Sequence, residues 1–205
     1  IRALTADLSH PGFAPFLLTG PADRRAAAIL ALSGEVLSRG RSVLALFPEI
    51  GMSRSVEEAY AARLGEGIVL LHGRMTERAR EEARRRIESR APLVVAGPRS
   101  AVFMPLRELG LIALDEEADE SYRQLESPAY DARTAAWMRA EASGARLVLA
   151  AEAPRVETYE RARRGGWLIE IPGPPPPPAE VVDDRGFRGL LAPAVVERIA
   201  AAVGF

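Results

Sequence analysis

The chain has 205 residues, with 27 basic and 28 acidic residues and a formal net charge of −1. Its 48% hydrophobic and 27% charged residues exclude general disorder, and the near-zero charge excludes nucleic-acid binding through a global basic surface. Cysteine is absent and every basic residue is Arg, which excludes disulfides, thiolate metal sites and any chemistry that needs a Lys.

In chain order, short apolar runs alternate with helical patterns. Strands are predicted at Phe16 to Thr19, Val43 to Phe47, Ile68 to Leu71, Leu93 to Ala96, Leu111 to Leu114 and Leu147 to Ala150. They are apolar at nearly every position, as strands covered on both faces must be. Helices are predicted between them at Asp23 to Ser38, Ser55 to Leu64, Glu77 to Ser89, Ala132 to Ala142 and Val156 to Arg163. This alternation predicts βαβ crossovers and an α/β fold, three layers with a mainly parallel sheet. Ligands of such sheets bind at the carboxyl ends of the strands.

Within the Glu77 helix, Glu81 with Arg85 and Glu82 with Arg86 stand four residues apart, the spacing of helix ion pairs. Ala79, Ala83 and Ile87 form a narrow apolar stripe. Pro174 to Pro178 are five consecutive prolines, which reads as a stiff polyproline spacer over residues 172–179. The expected organisation is a lobe over 1–171, this linker, and a strand–helix extension over 180–205. The first residue is not Met, and the chain is expected to be part of a longer polypeptide. It carries no signal-peptide pattern and no apolar run of membrane-spanning length.

The first strand runs into Gly20, where a phosphate loop would lie. Such a loop needs glycines to aim backbone N–H groups at phosphate, a Lys for the outer phosphates and a hydroxyl for Mg²⁺. Here only Gly20 remains, Pro21 removes a donor, Asp23 brings negative charge, Arg24 and Arg25 follow, and Ala26 and Ala27 replace the Lys and the hydroxyl. Arg24 and Arg25 could still hold an anion loosely at the helix N-terminus. Asp115-Glu116-Glu117 after a strand can hold Mg²⁺ and orient water, or simply cap the next helix. Between Asp119 and Arg133 stand Tyr122, Arg123, Gln124 and Tyr130, a mix suited to base stacking and phosphate contact.

Taken in order, these segments resemble the first motor lobe of the PriA family of primosomal replication-restart helicases, within helicase superfamily 2. The resemblance runs from about Phe13 to Ile171. It is carried by Phe16-Leu17-Leu18-Thr19-Gly20, Pro48-Glu49-Ile50 and Leu71-His72-Gly73. It continues through Gly97-Pro98-Arg99-Ser100-Ala101, Asp115-Glu116-Glu117, Ser121-Tyr122-Arg123-Gln124 and Pro128-Ala129-Tyr130-Asp131-Ala132-Arg133. The resemblance implies a RecA-like, P-loop NTPase-type lobe. In the family a DNA-binding domain precedes it, and a zinc region and a second lobe follow.

The departures fall on the nucleotide site. The family's phosphate loop reads Gly-Val-Thr-Gly-Ser-Gly-Lys-Thr against Gly20 to Ala27 here. Its Asp-Glu-Glu-His ends in Ala118, and its Gly-Ser-Ala-Thr-Pro reads Ala150-Ala151-Glu152-Ala153-Pro154. The expectation is a pseudo-helicase that binds branched DNA in replication restart without hydrolysing ATP. Asp115 and Glu116 would be vestigial catalytic residues, and Gly20, Asp23, Arg24, Arg25, Ala26 and Ala27 a vestigial phosphate loop. DNA contacts are expected at Arg99, Ser100, Tyr122, Arg123, Tyr130 and Arg133, with the alternative that Tyr122 and Tyr130 simply pack their loop onto the lobe. No ATP, Mg²⁺ or other metal is expected in the chain, and zinc only in the family's downstream region. The implied partners are forked or single-stranded DNA and primosome and helicase-loading proteins, in the cytoplasm at the nucleoid, with no membrane. The alternative is an active ATP-dependent 3′–5′ DNA helicase whose unorthodox site would rest on Glu49, Arg99, Asp115 and Glu116.

Overall fold

Strands apolar at every position need cover on two sides, and the fold supplies it. The computed structural model describes residues 12–48, 54–89, 91–173, 195–197 and 201. The elements are β1 (Ala14–Thr19), α1 (Ala22–Ser38), β2 (Ser42–Leu46), α2 (Arg54–Leu64), β3 (Ile68–Leu70), α3 (Glu77–Glu88) and β4 (Val94–Gly97). They continue with β5 (Leu109–Leu114), β6 (Arg123–Gln124), β7 (Tyr130–Asp131), α4 (Ala132–Ser143), β8 (Arg146–Ala151), α5 (Val156–Gly165) and β9 (Leu168–Glu170). Seven strands form one sheet in the order β3-β4-β2-β5-β8-β1-β9. Every pairing in it is parallel. Strands β6 and β7 form a separate antiparallel ribbon.

Side chains alternate between the faces with the period of two that a pleated strand imposes. Leu17, Leu44, Leu46, Ile112, Leu114, Leu147 and Leu149 pack with Ala132, Ala136 and Ala140 of α4 and Ala162 of α5. Leu18, Val43, Ala45, Leu111, Ala113, Val148 and Ala150 pack with Ala28, Ile29, Leu32 and Val36 of α1 and Tyr60 of α2. Two cores on opposite faces make the three layers. Gly144 and Gly166 end α4 and α5 in left-handed conformation, at φ 60° and 70°, where a side chain would be strained.

The predicted strands and helices of the lobe are all present, most with shifted ends. Three strands had no signal. β9 is only three residues long, and the two-residue strands of the ribbon carry Arg, Gln and Asp rather than an apolar run. The ion pairs of α3 also differ from expectation. Glu82 pairs with Arg85 at 2.8 Å, and Arg84 with Glu88 at 2.9 Å. Arg86 instead donates to the Glu66 carbonyl on the preceding turn. Of the stripe, Ala83 and Ile87 are buried, but Ala79 is exposed.

The chain divides into two units, Ile1–Gly173 and Pro174–Phe205. The expected linker beyond Gly173 and the strand of the expected extension lie outside the described residues. Residues 195–197 and 201 are helical. Among the described residues no helix is long and apolar enough to cross a membrane.

Candidate nucleotide and DNA site

Parallel strands deliver their carboxyl ends to one edge, so Gly20 after β1, Asp115 after β5 and Ala150 in β8 come together there. The Glu117 N–H donates to Ala150 O at 2.9 Å, and the Asp115 N–H to Leu46 O at 3.0 Å.

Only Gly20 and Pro21 separate β1 from α1. The first helical bond runs from the Arg25 N–H to Pro21 O at 3.0 Å. A two-residue connection cannot curl around a phosphate, and its one amide donor is that of Gly20, since Pro21 has no N–H. Gly20 has φ +136°, and a Cβ there would lie 2.5 Å from Ile171 O. The segment after β9 therefore lies against the turn, and the Ile171 N–H donates to Thr19 O at 2.7 Å.

Arg25 is fully buried. Its Nε donates to Asp115 Oδ1 at 3.0 Å, its Nη1 to Gly20 O at 2.5 Å, and its Nη2 to Glu116 Oε1. Glu116 bends back to meet it with φ +50°, a conformation that costs a non-glycine residue about 1–2 kcal/mol. Arg24 turns the other way and donates to Pro172 O. Sequence reasoning assigned both arginines to an anion. The structure pairs Arg25 with the acids of the next motif. The signal was a long cation in place of a small glycine, but nothing in the sequence says where it points. Ala26 and Ala27 continue the helix, and neither carries a group that reaches the edge.

The expected DNA residues separate into two sets. Tyr122 is 0% exposed. Its hydroxyl proton is shared between Asp115 O at 2.6 Å and Leu46 O at 3.0 Å, so the ring pins the 119–122 segment beneath the acids. Arg133 is 8% exposed. It is held by the Asp131 carboxylate at 2.7 Å and Glu117 O at 2.9 Å. Burial works against ionised Asp131, but the Arg133 guanidinium and backbone N–H outweigh it and hold the carboxyl below its ordinary range. The stacking or phosphate contact expected of Tyr122 and Arg133 therefore has no exposed group to make it.

Arg99, Ser100, Arg123 and Tyr130 remain at or near the surface. Arg99 donates to Ser121 O at 2.8 Å and Gln124 Oε1 at 2.6 Å, which ties the ribbon to the turn after β4. Tyr130 meets Phe103 edge-on at 4.9 Å between centroids. Phe103 is 60% exposed and Leu125, at the ribbon tip, 83% exposed. Arg123 lies 3.6 Å from Glu120 in an exposed pair, which is worth little in water. Glu49 lies outside the described residues.

Glu117, which sequence reasoning gave no role of its own, caps α5. Its carboxylate accepts the Arg155 N–H at 2.7 Å and the Thr158 hydroxyl at 3.3 Å. Burial pushes its carboxyl above the ordinary Glu value, against these two donors and Arg133, which pull it down. It faces a cleft of about 550 Å³ shared with Trp137, Arg161 and Trp167. Among the described residues, no three His, Asp or Glu side chains gather as a metal site.

No family model matches the chain. It is 33% identical over 204 residues to the replication restart protein PriA of Treponema pallidum (strain Nichols), covering 97% of this chain and 31% of that protein. It is 34% identical over 135 residues to PriA of Bacillus subtilis (strain 168), covering 66% and 17%. Among solved structures, the helicase domain of Hef from Pyrococcus furiosus matches with a TM-score of 0.50 and 20% identity, over 83% of this chain and 37% of that one. The chain thus spans less than a third of the length of these curated relatives.

Proposed function

The chain is a relative of the PriA replication restart proteins and matches less than a third of their length, and from this premise we propose that it is a pseudo-helicase lobe of a replication restart protein. It binds branched DNA within that protein and does not hydrolyse ATP. The observation that carries the reading is Arg25. A triphosphate with its metal needs inward amides, a protein cation and acids free to hold Mg²⁺. At this edge the loop amides are reduced to that of Gly20, beside those of the first turn of α1, and the acids are bonded to a buried guanidinium. Losing one transition-state donor commonly costs about 3–4 kcal/mol, and here several are missing together.

DNA contact falls to the exposed members of the expected set, Ser100 and Arg123, with Arg99 and Tyr130 shaping the surface between them. Primosome and helicase-loading proteins would be partners of the whole protein, in the cytoplasm at the nucleoid. The linker over 172–179 and the extension over 180–205 would lead toward the family's zinc region and second lobe.

Calorimetric titration with Mg²⁺–ATP, with and without a forked DNA, tests the reading. The expected result is no binding in the micromolar range and no DNA-stimulated hydrolysis. Tight Mg²⁺-dependent binding would overturn it and restore the active helicase.

A further inference from the structure

Arg24 and Arg25 are consecutive, lie in the first turn of α1, and point to opposite sides of the β1–α1 turn. Arg25 reaches inward to Asp115, Glu116 and Gly20 O, and Arg24 reaches across to Pro172 O. The turn between them leaves no slack. Gly20 has no room for a side chain because Ile171 fills that space, and a Cβ on Gly173 would touch Pro21 at 3.3 Å. The Ile171 N–H closes the arrangement on Thr19 O at 2.7 Å. Two separate parts of the chain, the acidic corner after β5 and the segment that leaves the lobe after β9, are therefore held through one short turn.

We propose that Arg24 and Arg25 form a joint that couples the position of the departing segment Ile171–Gly173 to the acidic corner Asp115–Glu116. The inference rests on the reading of this edge as free of nucleotide and says what the edge does instead. In a nucleotide-driven lobe, the phosphates would bias this corner. Here the guanidinium of Arg25 is the fixed bias, and the position of Ile171–Gly173 is set with it. The backbone of Glu116 supports this, because a left-handed residue other than glycine persists where its surroundings hold it there, and the Arg25 contact is what its side chain meets. The coupling is physical in the sense that one rigid element, the first turn of α1, touches both parts.

Amide hydrogen exchange on the whole chain reads the two ends separately. The reporters are the Glu117 N–H, bonded to Ala150 O at the acidic corner, and the Ile171 N–H, bonded to Thr19 O at the departing segment. Arg25→Ala is expected to accelerate exchange at both by about tenfold or more, because it removes a buried fork shared by three acceptors. Arg24→Ala is expected to accelerate Ile171 alone. Glu116→Asn keeps a residue type that tolerates the left-handed backbone and removes the carboxylate. It is expected to accelerate both reporters, less than Arg25→Ala does, and it serves as the test where Arg25→Ala does not fold. Acceleration confined to Glu117 in Arg25→Ala or Glu116→Asn would overturn the joint. Titration of the unaltered chain with Mg²⁺–ATP is run alongside. Binding there would overturn the nucleotide-free reading, whereas uncoupled reporters without binding would overturn only the joint.

Discussion

The β1–α1 turn and the segment from Pro98 to Arg133 meet at the same edge of the sheet and handle charge differently. At the turn, one cation, Arg25, faces inward and is taken up by acids of its own chain, while Arg24 stays exposed on a backbone carbonyl. In the other segment, buried pairing holds the root, where Arg133 is locked to Asp131 and Tyr122 to two backbone carbonyls. The part further out keeps Ser100, Arg123, Phe103 and Leu125 in solvent. The difference teaches where binding can persist. A buried, fully paired cation stabilises structure or fixes geometry, whereas an exposed one in a weak pair can exchange its partner for phosphate.

The sharpest way to break this division is at the root. Tyr122→Ala should destabilise the chain by about 3–5 kcal/mol, as large buried aromatics do, measured by urea unfolding. Tyr122→Phe should cost only about 1 kcal/mol, the net worth of its hydrogen bond. A Tyr122→Ala variant as stable as the parent would mean that the root is surface after all.

Next is the turn. Asp115→Asn removes an anionic partner of a fully buried guanidinium and should destabilise by about 2–4 kcal/mol. The same change in an exposed pair, Glu120→Gln beside Arg123, should cost less than about 0.5 kcal/mol. Equal costs in unfolding experiments would erase the distinction between inward and outward charge.

Glu117 gives a smaller, pH-dependent effect. Its carboxyl is raised by burial, so the folded chain holds that proton more tightly than the unfolded chain. The stabilisation is full below the unfolded Glu value and is lost as pH rises from there through the raised folded value. Glu117→Gln should flatten that slope in unfolding measured across the mildly acidic range. An unchanged slope would assign the pH dependence elsewhere.

The smallest effect separates binding from stability. If the proposed DNA contact holds in the whole protein, Arg123→Ala should weaken fork affinity by about twofold to fivefold and reduce the salt slope by about one. Arg133→Ala should lower stability and leave the salt slope unchanged. A salt-slope change in Arg133→Ala would bring that residue back to the DNA surface.

The layers were legible in the sequence because strands such as Leu111 to Leu114 are apolar throughout, which only a sheet covered on both faces requires. The meeting of Gly20, Asp115 and Ala150 was legible too, since parallel strands place their carboxyl ends together. The pairing of Arg25 was not. Residue type and position fix where the side chain starts, but its acidic partners come from the turn after β5, ninety residues later. Which of the two readings of Tyr122 applies was not legible either, because the backbone carbonyls that take its hydroxyl come from Leu46 and Asp115. The ribbon escaped because its strands are two residues each, too short for any periodicity to register.

The two outermost strands, β3 and β9, are each three residues long, while β1, β5 and β8 run to six. A long bare strand at the rim of a sheet is a template on which another chain can add itself, and copies can then stack without limit. Among the described residues the rim strands are short on both sides of the sheet. The apolar interior that makes the lobe foldable is thereby kept from becoming adhesive, and growth into fibres is discouraged by the brevity of its borders rather than by charge.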